Sequence, residues 1–232
     1  MSLIIYYELI QPVLLINVVF NLLSIIFSIA MMKTHIFDNM RIQDIKKKDN
    51  VYNRIPLILF NVLLLQPITT YFGVYLISDY FDLSNYLNIL RIGWELLVMF
   101  IIDDFYFYWF HRILHINKYL FTNIHHIHHQ SKSPYFCDYI YSHPLEVLFG
   151  TIGTFLGIII LGGIHKYTFI SYTIFRLIHE IEIHSGIKSC MSNYIPYLGR
   201  SEEHDSHHLK LRGNFSSTFT YWDKLYNTYI EC

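Results

Sequence analysis

The chain has 232 residues and a formal net charge of −1, with 53% hydrophobic, 18% aromatic and only 15% charged residues. Such a balance is too apolar for an ordinary soluble domain, and the lack of a long basic tract argues against nucleic acid as a partner. A single alanine, Ala30, stands against many Ile, Asn, Tyr and Phe residues; this bias puts Tyr and Asn inside runs that are otherwise membrane-like.

In chain order, residues 9–32, 55–77 and 89–110 are each apolar over about the 20 residues that a bilayer crossing needs. Pro12, Pro56 and Pro67 fall in or at the ends of these runs, where membrane helices tolerate them. Two further stretches, 145–164 and 167–183, are separated only by His165 and Lys166 and predict a helical hairpin turning at Gly162-Gly163. No cleavable signal peptide is expected, for want of a basic start and a small-residue cleavage site. Segment 33–54 carries Lys33, Arg41, Lys46, Lys47, Lys48 and Arg54, whereas 78–91 carries only Arg91 beside Asp79 and Asp82. The positive-inside rule then puts 33–54 in the cytosol. Continuing through the spans puts 111–143 and 185–232 on the same side, where Cys137, Cys190 and Cys232 are expected to stay reduced.

The histidines converge on that side. His111 and His115 lie four residues apart in HRILH; His125, His128 and His129 in HHIHH, and His204, His207 and His208 in HDSHH, both follow H-x-x-H-H. On a helix, residues three and four apart share a face, so each cluster is expected to aim two or three imidazoles at one point. Neutral imidazole is a preferred ligand for iron, copper, nickel and zinc. The reading is therefore an all-α, integral membrane helical bundle with a cytosolic, histidine-rich di-metal cap. Residues 1–90 are expected to supply N-terminal transmembrane helices and 91–232 the catalytic domain, as one continuous unit.

DDFYFYWFHRILH, NIHHIHHQ, YSHPLE, RLIHEIEIHSG and EEHDSHHLKLRGNFSSTFTYWDKLY, in this order across about residues 95–228, resemble the fatty acid hydroxylase/sterol desaturase superfamily. Within it, the order and tail are most similar to the C4-methyl sterol oxidases. The resemblance implies a multi-pass endoplasmic-reticulum-type membrane enzyme with a non-haem di-iron centre. It would use O2 and electrons from cytochrome b5 and an NAD(P)H reductase to oxidise an unactivated C–H bond of a lipid, sterol or fatty acyl. Zinc can occupy such nitrogen sites in purified samples. No side chain supplies an oxidant of that strength, so a bound metal must. The Glu-x-x-His motif of ferritin-like di-iron proteins does not occur in the chain.

Expected ligands are His111, His115, His125, His128, His129, His204, His207 and His208, with His184 added by its match to the HSG motif. Asp104, Tyr108, His111 and His115 form one helical stripe, and Asp104 is a candidate partner for a ligand imidazole. His179, Glu180 and His143 are candidates to ligate or to support the shell, with Glu146 as companion to His143. Asp205 and Asp223 are structural or supporting candidates. His126, off the H-x-x-H-H register, is expected to be exposed or supporting, and His35 and His165 to be no ligands. Departures from the sterol-oxidase pattern are Ile187-Lys188-Ser189-Cys190 after HSG, Tyr226-Asn227-Thr228 in the tail, and Phe107 where a histidine often stands; they bear on substrate more than on metal. No His-Pro-Gly-Gly haem motif is present, so the electron donor is expected to act in trans. A metal transporter would carry its ligands at mid-membrane depth, and an inactive scaffold would show broken histidine boxes.

Overall fold

A computed structural model describes residues 3–43 and 50–232; Lys46, Lys47 and Lys48, used above for orientation, lie outside the described residues. A helical turn, α1 (Leu3–Ile5), runs through a π-helical turn (Tyr6–Ile10) into α2 (Gln11–Lys33). α3 (Ile55–Phe60), a π-helical turn (Asn61–Leu65) and α4 (Gln66–Leu76) form a second long rod. The long α5 (Ile89–Ile116) is followed by α6 (Lys118–Asn123), a 3-10 helix (His125–Gln130), α7 (Pro144–Gly150), α8 (Ile152–Ile160) and α9 (Lys166–Ile183). α10 (Ser201–Lys210) and α11 (Tyr221–Leu225) complete the cap. The two-residue strands β1 (Phe81–Asp82) and β2 (Ile164–His165) pair in parallel.

Leu3–Lys33 and Ile55–Leu76, 31 and 22 residues, are long and apolar enough to cross a membrane. The run at 89–110 differs from expectation. α5 is long enough, about 42 Å at 1.5 Å per residue, yet it carries Arg91, Glu95, Asp103 and Asp104, and all three carboxylates are buried. Each acid is satisfied by a distant segment. Glu95 accepts from the His165 backbone N–H (3.0 Å), Asp103 pairs with Arg176, and Asp104 accepts from the backbone N–H groups of Ser217, Thr218 and Phe219. α5 is thus the central post, packed along α8 and α9. The predicted hairpin is present, but its first arm breaks at Thr151 into α7 and α8. Gly162 and Gly163 turn it with φ of 72° and 122°, a region L side chains avoid.

The two ends of the bundle are closed differently. Away from the histidines, Lys166 holds Glu8 (2.6 Å) and Asn85 (2.7 Å), and Arg91 holds Asp82 and Glu95, both at 2.6 Å. At the histidine end, Arg54 pairs with Asp138, which also accepts from Ser131 Oγ and the Tyr135 N–H. One apolar core joins Leu9, Ile10 and Val13 to Met99, Ile158 and Phe169; a second joins Ile25, Met31 and Ile58 to Tyr135 and Ile140.

Candidate metal centre

Nine imidazoles meet in two adjoining groups. His111, His115, His125, His129 and His207 form one; His128, His184, His204 and His208 form the other. Within each, one ligand atom per residue lies within 4.8 Å of every other, and all nine rings are buried except His115, which is half-buried. The groups touch: the His129 ring approaches those of His208 and His128 at centroid distances of 4.7 and 5.5 Å.

Local structure explains the division. α5 carries His111 and His115 one turn apart and ends just beyond them, because Asn117 leaves helical conformation and caps α6 through the N–H groups of Tyr119 and Leu120. The H-x-x-H-H triples do not each aim at one point, as the sequence predicts. The i and i+4 histidines go to one group and the i+3 histidine to the other. His125 and His129 enter the first group and His128 the second; His204 and His208 enter the second and His207 the first. Residues i+3 and i+4 are a full 100° apart around a helix of 3.6 residues per turn, so they straddle two centres. HHIHH is moreover a 3-10 rather than an α-helical segment.

The backbone sets the tautomers. His111 donates from Nδ1 to the Phe215 carbonyl (2.7 Å) and His207 to Gly213 (2.7 Å). His208 donates to Ser131 (2.8 Å), His184 to Glu180 (2.9 Å) and His128 to Tyr141 (3.2 Å). A carbonyl can only accept, so each ring carries its proton on Nδ1 and presents an unprotonated Nε2. Those nitrogens face one another: His184 to His128 at 3.4 Å and to His204 at 2.8 Å, and His111 to His125 at 3.1 Å. The His207 Nε2 is buried without a partner. Lone pairs converging in a buried space repel unless a cation lies among them. The donor set therefore fits two transition-metal ions, one per group.

Charge points the same way. Burial and the neighbouring imidazoles hold the rings neutral, with His115 pushed down to about 2 and His128 to about 3. Neutral imidazole is the ligating form. His125 donates from Nδ1 to Glu146 (2.9 Å), the carboxylate support that orients metal-binding histidines and raises their basicity. The sequence reading set Glu146 beside His143. Position i+3 in HPLE was the only signal, and it did not identify His125 as partner.

The other candidates stand around the groups rather than in them. His143 is the N-cap of α7, its Nδ1 accepting from the Leu145 N–H (3.1 Å). Asp104 takes three backbone N–H groups rather than an imidazole. Asp223 takes those of Phe215 (2.8 Å) and Ser216 (2.9 Å). These two acids fold the 213–219 loop that offers its carbonyls to His111 and His207. Tyr108 bonds Thr228 Oγ1 (3.0 Å), Asp205 accepts from Gln43 (2.7 Å), and burial lifts Asp205 to about 6. His179 meets the Ser217 carbonyl (3.1 Å). Glu180 contacts Ser217 Oγ and Arg176 and lies 3.8 Å from His184 Nδ1. His126 is exposed, and His165 caps α9. Not legible beforehand were the carbonyl acceptors and the Arg54–Asp138–Ser131 node behind His208.

A cavity of about 220 Å³ opens onto both groups through His111, His125, His128, His184 and His204. Its far wall is formed by Val13, Phe155 and Phe169. From Phe169 to His184 it follows α9 for fifteen residues, roughly 22 Å.

The model of the fatty acid hydroxylase family matches residues 96–228, from the second turn of α5 to just beyond α11. The chain belongs to the fatty acid hydroxylase family. The matched fatty acid hydroxylase region contains all nine converging histidines. It is similar to methylsterol monooxygenase 1 of Rattus norvegicus, 36% identical over 133 residues, 56% of this chain and 45% of the relative. Methylsterol monooxygenase 2-2 of Arabidopsis thaliana is 39% identical over 139 residues, 58% of this chain and 52% of the relative. Very-long-chain aldehyde decarbonylase GL1-11 of Oryza sativa subsp. indica is 37% identical over 139 residues, with the same two coverages. The chain spans about half the length of the curated relatives it matches. No solved structure matches.

Proposed function

We propose that this fatty acid hydroxylase is a membrane-bound non-haem di-iron monooxygenase that oxidises an unactivated C–H bond of a lipid, with a methylsterol as substrate. The observation that carries the reading is the pair of converging Nε2 sets, held by backbone carbonyls and opening on one largely apolar cavity. His111, His115, His125, His129 and His207 would hold one iron; His128, His184, His204 and His208 the other. When bound, the iron pair supplies the O2-derived oxidant that no side chain can provide. The chain binds the lipid between α2, α4, α8 and α9, excludes bulk water, and fixes six of the imidazoles, His111, His125, His128, His184, His207 and His208, through Nδ1. Glu146 keeps the His125 proton on Nδ1. One oxygen atom enters the lipid and the other leaves as water, which takes two electrons and two protons. Cytochrome b5 with an NAD(P)H reductase is the proposed electron source. The proposed setting is the endoplasmic reticulum membrane or its equivalent, with the histidine cap in the cytosol.

The test is lipid profiling of yeast lacking its own sterol methyl oxidase, with and without this chain. Loss of the accumulated 4,4-dimethyl sterol is expected from the wild type and not from His128→Ala or His207→Ala. Normal product from both variants would overturn the assignment. A second reading, fatty-acyl or sphingolipid hydroxylation or desaturation, is favoured by the aldehyde decarbonylase relatives, which are as similar as the methylsterol monooxygenases. A lipid change outside the sterols in the same profile would select it.

A further inference from the structure

Arg176 is the only lysine or arginine among the described residues that line the cavity. Helical period puts it there: Arg176, Glu180 and His184 follow at intervals of four along α9 and its C-cap, one stripe that climbs to the four-histidine group. The guanidinium stands one side chain away from each metal group. Its Nη2 lies 3.5 Å from Glu180, and Glu180 lies 3.8 Å from His184 Nδ1. Its Cζ lies 5.8 Å from the centroid of the Phe107 ring, which in turn is 5.4 Å from that of His111. A cation at such depth is costly in lipid and marks function more often than packing.

Its partners within the chain use only part of it. Nη1 donates to Asp103 and, at 3.4 Å, to the Tyr172 hydroxyl, while Nη2 faces Glu180. A guanidinium carries five N–H donors in a rigid fork. Among the described residues, Nε–H and one Nη2–H therefore have no acceptor, and the side chain keeps 20% of its surface accessible where it lines the cavity. Donors held in an apolar space cost stability until something accepts from them. Charge restricts what that can be. Asp103 and Glu180 already set two carboxylates against one cation, so a further anion is repelled and a neutral oxygen is not. The far end of the cavity gives the ligand a direction, because Val13, Phe155 and Phe169 offer only hydrocarbon there.

We infer that Arg176, held by Asp103, Tyr172 and Glu180, orients the lipid by donating to a neutral oxygen that the lipid carries beside the carbon presented to the histidines. The inference rests on the proposed lipid-binding role of the cavity and deepens it. A 4-methylsterol, whose hydroxyl adjoins the methyl-bearing carbon, enters with its hydroxylated ring at the histidine end and its tail against Val13, Phe155 and Phe169. An acyl chain oxidised far from its headgroup has no oxygen to offer at this position. Since the free groups are N–H donors, the lipid oxygen needs only to accept, and a ketone serves as well as an alcohol.

The test uses full-length, metal-loaded chain in nanodiscs without reductant. The probes are tritiated 4,4-dimethylcholestanol, the matching ketone and the parent hydrocarbon 4,4-dimethylcholestane, each referred to its concentration in the bilayer. Wild-type protein is expected to bind the alcohol and the ketone roughly tenfold more tightly than the hydrocarbon, the worth of about one charge-assisted hydrogen bond. The double variant Asp103→Asn/Arg176→Met removes both members of the ion pair, so no carboxylate loses its partner at that position and the net charge of the cluster is unchanged. It is expected to bring the three probes within about twofold of one another while keeping hydrocarbon affinity and metal content. Equal binding of all three by the wild type, or an undiminished preference in the double variant, would overturn the role of Arg176. So would a ketone bound as weakly as the hydrocarbon, since the anchor would then be an acceptor. Failure to bind any of the three would overturn the lipid-cavity reading itself.

Discussion

At the scale of single residues, the centre depends on where each ring keeps its proton. Glu146 and the carbonyls of Phe215, Gly213, Ser131, Tyr141 and Glu180 together point Nε2 inward. Removing the one side-chain acceptor, by Glu146→Leu, should weaken metal binding in the His125 group about 10- to 100-fold, read as metal lost to a chelator at fixed protein. The same rings dictate a pH dependence. Their folded values lie below 6.5, so above that pH both folded and unfolded chains hold them neutral. As pH falls through 6.5, the unfolded chain binds protons that the folded one refuses, and stability declines. His115 and His128, at about 2 and 3, each take away about 1.4 kcal/mol per pH unit over that window. Denaturation of metal-free protein should therefore show a steep loss of stability between pH 7 and pH 5; a flat profile would contradict buried neutral rings.

At the scale of elements, the histidine-bearing helices are only half of the device. The loop between α10 and α11 supplies acceptors to His111 and His207, and Asp223 holds it through the N–H groups of Phe215 and Ser216. Asp223→Ala should release metal from the five-histidine group first. Asp138→Ala, acting through Ser131 on His208, should release it first from the four-histidine group. Metal-edge spectroscopy on the two variants would separate five- from four-nitrogen environments; identical spectra would argue against this division of support. The convergence of eight imidazoles was legible because they recur at helical spacing, and that of His184 only through its match to the HSG motif. Their partition between two centres was not, since i+3 and i+4 look alike in sequence and separate only once the helices are placed. The carbonyl acceptors had no signature at all, because every residue carries one. Asp104 read as a candidate partner of an imidazole and Asp223 as a structural or supporting residue; both serve backbone N–H groups of a loop whose path no local pattern reveals.

At the scale of the whole molecule, the helical bundle was legible from apolar runs, but the role of α5 was not. Its buried acids are tolerated because Arg176, Thr168 and the 217–219 backbone, far away in sequence, satisfy them. The end remote from the metal centre is closed by Lys166 with Glu8 and Asn85. Lys166→Met should lower stability by roughly 1–3 kcal/mol, seen as a lower melting temperature, with metal content preserved. Loss of metal in that variant would show that the two ends are coupled through α5 and α9.

The cavity begins among apolar helices and stops at buried imidazoles. Under the proposed function, its substrate is drawn from the bilayer, a two-dimensional reservoir. Turnover should scale with the mole fraction of substrate in the surrounding leaflet and fall when inert phospholipid is added at constant bulk concentration, the behaviour known as surface dilution.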